Sequence, residues 1–249
     1  MSNISVEKII SKLDSYLHKN DYESAERHLV YWLSEADLTS DLRLRLTVLN
    51  ELMGLYRKLG RKEKALQTAE DALETVEKLG IRHQIGAATT YLNSATVYKA
   101  FGMPEGAITL FEKAKVIYES ELSPEDERLG GLYNNMALAL VDLGRYGEAR
   151  EAYQNAISVM EKAEDGALEV AITYLNMATA AETELGLEDS EAQVSQLLEK
   201  AQRLIDGFEK RDGHYAFVCE KCASVYGYYG YFLYENELKE RAKRIYEGN

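Results

Sequence analysis

The 249 residues are 46% hydrophobic and 29% charged, with 2 proline and 2 cysteine residues. That composition fits a folded chain of one or two domains and excludes disordered, collagenous and disulfide-scaffold classes. With 29 basic against 42 acidic side chains, the net charge is −13, which disfavours docking to nucleic acid or to an anionic membrane.

Met1 to Leu17 mixes Glu7, Lys8, Lys12 and Asp14 among apolar residues, so it lacks the unbroken apolar core of a secretory signal. No apolar run reaches the ~20 residues of a membrane span. The expected location is the cytoplasm, where the paucity of cysteine also fits.

A repeat governs the rest of the chain. Leu59-Gly60, Phe101-Gly102, Leu143-Gly144 and Leu185-Gly186 recur at a spacing of 42. Tyr91-Leu92-Asn93-Ser94-Ala95, Tyr133-Asn134-Asn135-Met136-Ala137 and Tyr174-Leu175-Asn176-Met177-Ala178 precede the later glycines. Ala65, Ala107, Ala149 and Ala192 follow the four glycines. Apolar residues have helical spacing on both sides, as in Leu49, Leu52, Met53, Tyr56 and then Ala65, Ala69, Ala72, Val76. A glycine just past the last periodic residue marks a helix end, because it enters positive φ at no steric cost. Pro104 is placed at a first helical position, and Ser123-Pro124 is read as another start. Each unit is therefore a helix, a tight turn and a second helix. The alanines stand where two helices approach closely. About six such pairs fit the length, with borders near 5–40, 41–82, 83–123, 124–165, 166–210 and 211–249, and no linker divides them, so one domain is expected.

Leu132-Tyr-Asn-Asn-Met-Ala137 followed by Gly144-Arg-Tyr-Gly-Glu-Ala149 resembles the tetratricopeptide repeat in its 42-residue, kinesin-light-chain-like form. The resemblance covers residues 46–201. In 5–40, Asn20 and Ala25 take the glycine and alanine positions; in 215–247, Glu237 takes the glycine position before Ala242. About two extra residues precede Ala192 in the fifth unit. The resemblance implies an all-α, right-handed superhelix whose first helices line a groove for an extended peptide or a partner's helix. It also implies that Asn93, Asn135 and Asn176 clamp a ligand backbone. An amide suits that role by offering both a donor and an acceptor; the alternative is a bond to its own helix or to a neighbouring repeat.

Seven basic residues (Arg43, Arg45, Arg57, Lys58, Arg61, Lys62, Lys64) stand against Glu51 and Glu63 between positions 43 and 64. By alignment with the family, Arg57, Lys58 and Lys99 face the groove, where they would hold a carboxylate; the alternative is a solvated surface. Six aromatics fall within Tyr226–Tyr234. Tyr226, Tyr229 and Leu233 are expected to pack inward, leaving Tyr228, Tyr231 and Tyr234 on the groove side, for a ligand or for self-association.

No phosphate loop, HExxH, GxSxG or dinucleotide fingerprint occurs, and the four histidines are scattered. Cys219 and Cys222 lack the further ligands a zinc site needs and are read as buried core residues. The expectation is a protein- or peptide-binding scaffold, not an enzyme, with no cofactor and no metal. The alternatives are a peptide-sensing regulatory receptor and a self-associating adaptor.

Overall fold

The computed structural model describes residues 5–248, and all regular structure among them is helical. The order is α1 (Val6–Leu17), α2 (Tyr22–Thr39), α3 (Leu42–Lys58), α4 (Lys62–Leu79), α5 (Ile85–Ala100), α6 (Pro104–Glu121), α7 (Glu127–Asp142), α8 (Tyr146–Met160), α9 (Ala167–Leu185), α10 (Leu187–Gly207), α11 (Gly213–Tyr228) and α12 (Phe232–Glu247). They form six successive pairs. No described helix is long and apolar enough to cross a membrane.

The turns inside the pairs follow from backbone sterics. Gly60, Gly102 and Gly144 have φ of +66°, +76° and +69°, the left-handed region where a Cβ costs free energy. Asn20 takes the same place between α1 and α2 at φ +53°, as its short amide side chain permits. Gly186 differs: at φ +83°, ψ 166° it ends α9 and caps α10 at once, a region essentially reserved for glycine. That turn is shorter, so the small buried residue after it is Ser190, and Ala192 is exposed. The extra residues expected before Ala192 instead lengthen α10 at its C-terminal end to Gly207.

Two further expectations are corrected. Asp126, whose carboxylate accepts from the Arg128 N–H at 3.0 Å, caps α7; Ser123 and Pro124 form a turn ahead of it. In the last pair the turn glycine is Gly230, at φ +84°, and Glu237 lies inside α12. Asp21, Asp41 and Asp212 cap α2, α3 and α11 through backbone N–H groups, at 3.0 to 3.1 Å.

The chain divides into two compact units, Met1–Glu121 and Leu122–Asn249. Within the first, α3 packs on α4 and α5 on α6, while α3 also touches α5. Ala65, Ala69, Ala95 and Ala107 are fully buried where these helices approach, beside Phe111 and Tyr118. Within the second, α9 touches both α7 and α11 as well as its partner α10. Its core runs from Leu168 and Leu175 through Leu198 and Ile205 to Tyr215, Cys219, Cys222 and Tyr226. First helices of successive pairs thus meet in both units, α3 with α5 in the first and α7 with α9 and α9 with α11 in the second.

The thiols lie in this core as expected. Burial pushes both up, Cys222 to about 12, so neither is a ready thiolate.

Candidate binding faces on the first helices

The first helices of each unit are joined by polar side chains, and the motif asparagines are among them. In the first unit, the Asn93 amide donates to Asn50 Oδ1 at 2.8 Å. The Asn50 amide in turn donates to Leu46 O at 2.8 Å and to Thr90 Oγ1 at 3.1 Å. In the second unit, the Asn176 amide donates to Asn134 Oδ1 at 3.1 Å. Asn135 turns back on its own helix and donates to Gly131 O at 2.8 Å. One amide N–H of each thus serves an internal bond, a use the sequence leaves open as its alternative. The half-buried carbonyl oxygens of Asn93 and Asn176 remain as acceptors. Their partners Asn50 and Asn134 were not singled out from sequence. The available signal is their shared repeat position, 84 residues apart.

Part of the basic run is spent between helices. Arg45 donates to Asp37 Oδ1 at 2.8 Å and to Thr75 Oγ1 at 3.0 Å, tying α3 to α2 and α4. Arg61 and Lys64 both hold Glu26 of α2, Lys64 at 2.7 Å, and keep its carboxyl below the usual range. Burial, with Glu26 next in effect, pushes the Tyr56 phenol up to about 12. Arg57 and Lys58 stay exposed in the last turn of α3, with the Lys58 ammonium 5.0 Å from the centre of the Tyr22 ring. Lys99 is half-buried in the last turn of α5.

The aromatic cluster is divided by Gly230, which shifts its helical phase. Tyr226 is fully buried and donates to Leu198 O at 2.9 Å. Tyr234, expected on the open side, is buried against it with ring centres 4.7 Å apart, and donates to Asp206 Oδ1 at 3.0 Å. Leu233, expected in the core, is 89% exposed. A new helix begins at Phe232, so positions on either side of the turn no longer share one stripe. Tyr228 is 69% exposed and Tyr231 37% exposed, while Tyr229 is half-buried. Phe217 is also exposed. With Glu220, Ser224 and Tyr228 it follows the open stripe of α11, a spacing legible in the sequence but overlooked.

Two family models described as tetratricopeptide repeat match residues 44–120 and 130–164. The chain carries tetratricopeptide repeats. Among solved structures, BtubC (BKLC) from P. vanneervenii is similar at 20% identity and a TM-score of 0.68, over 82% of each chain. Kinesin light chain TPR-like repeats from Podosopora anserina align at 18% identity and 0.55, over 81% of this chain and 94% of that one. A Rap protein complexed with Competence and Sporulation Factor aligns at 18% and 0.59, over 99% of this chain and 66% of that one. At such identities the likeness establishes the fold. No curated protein matches the sequence.

Proposed function

We propose that this protein is a binding scaffold that holds a polypeptide segment on the first-helix faces of its repeats. The observation that carries this reading is the stacking of first helices within each unit, α3 on α5 and α9 on both α7 and α11, which assembles side chains of neighbouring repeats into one face in each unit. A tetratricopeptide fold is generally a protein-interaction scaffold, and a segment lying across several repeats uses that face efficiently.

In this reading the Asn93 carbonyl oxygen accepts a backbone N–H of a segment on the first unit, and Asn135 and Asn176 serve the second. On the first unit Arg57, Lys58 and Lys99 receive an acidic portion; on the second, Tyr228 and Tyr231 supply aromatic contact. Tyr234 has a structural role in the core. The Rap alignment, which spans 99% of this chain, favours a second reading: a peptide-sensing regulator.

A photo-crosslinking amino acid tests the placement. Installed at Arg57, it should trap a cellular partner that the same group at Val116, 67% exposed on second helix α6, does not. Trapping from Val116 alone would overturn the reading.

A further inference from the structure

The geometry points to Glu182, Tyr228 and Tyr229 as a receptor for one cationic side chain, lysine or arginine, carried by an otherwise apolar partner segment. The Tyr228 hydroxyl donates to Glu182 Oε1 and the Tyr229 hydroxyl to Oε2, each at 2.7 Å. The two rings meet edge to face, with centres 5.0 Å apart and planes at 83°. The half-buried carboxylate is thus oriented by two phenols and flanked by aromatic rings.

Nothing in the described chain neutralises it. Glu182 has no ion-pair partner among the described residues, whereas Glu184, two residues later, is paired with Arg150. A carboxylate holding two neutral donors keeps further acceptor capacity and its full charge. Aromatic rings beside it attract a cation through their quadrupoles, so charge and rings select the same group. Tyr228 is 69% exposed, leaving the approach open.

The surroundings define the rest of the segment. Beyond the Gly230 turn, Tyr231, Phe232 and Leu233 all stand exposed at the start of α12. Other pairs begin their second helix differently at these places: Arg61-Lys62-Glu63, Met103-Pro104-Glu105 and Arg145-Tyr146-Gly147. A Tyr-Phe-Leu run here supplies apolar contact beside the carboxylate. The complementary occupant is a single lysine or arginine flanked by aliphatic residues. A second copy of this chain at the same patch would bring two such carboxylates together, which charge disfavours.

This inference rests on the scaffold reading and identifies part of its ligand. The test uses the full chain and two fluorescein-labelled peptides of leucine and serine around a central residue, arginine in one and its neutral isostere citrulline in the other. Anisotropy should show the arginine peptide binding at least fivefold tighter. Glu182→Gln, which still accepts hydrogen bonds, should bring the ratio close to one, and Tyr228→Leu should weaken the arginine peptide two- to fivefold. Circular dichroism melts establish that both variants fold. The inference is overturned by equal binding of the two peptides, by an unchanged ratio in Glu182→Gln, or by no binding of either at 1 mM. Dimerisation lost in Tyr228→Leu without arginine preference also overturns it. Failure of the scaffold reading looks different: an acidic peptide indifferent to Lys58→Glu, together with crosslinking from Val116 alone.

Discussion

In the unit Met1–Glu121 the first helices α1, α3 and α5 carry seven basic side chains against three acidic ones; in Leu122–Asn249 the corresponding α7, α9 and α11 carry two against six. Both units use the same asparagine link between adjacent first helices, Asn93 to Asn50 and Asn176 to Asn134. The architecture is therefore repeated while the charge laid over it is reversed. A repeat fold permits this because the buried positions that fix helix approach are separate from the exposed ones that meet a ligand. Each unit can then be challenged with a substitution that its counterpart should tolerate differently.

The largest contrast concerns the linkers between pairs. Gly80 ends α4 at φ +67°, and a Cβ there would meet nothing within 4 Å. Gly166 opens α9 in an ordinary conformation, but a Cβ would lie 1.9 Å from the Met160 carbonyl oxygen. Gly80→Ala should cost about 1 kcal/mol, from backbone conformation alone. Gly166→Ala should cost about 3 kcal/mol, because backbone must move. Urea titrations of the two variants decide the order; equal midpoints would show that the α8–α9 linker yields freely.

A core position offers the next comparison. Phe111 in α6 and Tyr153 in α8 are 42 residues apart and both buried, but the Tyr153 hydroxyl has no hydrogen-bond partner among the described residues. Tyr153→Phe should leave stability unchanged or raise it by about 1 kcal/mol, and Phe111→Tyr should lower it by about 1–3 kcal/mol. A Tyr153→Phe variant that melts markedly lower would show that the hydroxyl is satisfied in solution.

The charge reversal itself predicts a kinetic effect. Lys58→Glu with Lys99→Glu should slow association of an acidic segment several-fold and flatten its salt dependence, with little change in melting temperature. Stopped-flow association at two salt concentrations reads this directly.

The parts legible in the sequence are those whose cause is local. Gly60, Gly102 and Gly144 mark turns because positive φ is a property of one residue, and Asn20 was readable for the same reason. What failed depended on counting from a neighbour. The last turn falls at Gly230 and not at Glu237, so a new helix starts at Phe232 and the inward and outward assignments of Tyr234 and Leu233 exchange. The short turn at Gly186 gave the small buried position to Ser190 in place of Ala192. Asn93 and Asn176 are recognisable by motif, but Asn50 and Asn134, which each accept one of their amide protons, belong to the preceding repeat. The Glu182 cluster was also hidden, since its carboxylate and its phenols are 46 and 47 residues apart.

The smallest expected effect separates the units by pH. Glu26 holds α2 to α4 through Lys64 and Arg61, and those hydrogen bonds keep its carboxyl below the ordinary 4.5. A carboxyl with a lowered folded pKa stabilises the fold fully above the unfolded value and loses that contribution as pH falls through the folded one. The wild type should therefore exceed Glu26→Gln at pH 7 by under about 1 kcal/mol, since the pair lies near the surface. The difference should close as pH falls through that lowered folded value, below which both carry a neutral side chain. Trp32, the only tryptophan, sits in α2 and reports this region through its fluorescence. Its His28 neighbour, with ring centres 6.5 Å apart, is present in both proteins, so any quenching by that imidazole cancels in the comparison. A difference that shows no dependence on pH through the acid limb would mean that Glu26 acts by packing, and that the basic residues beside it are free for a ligand.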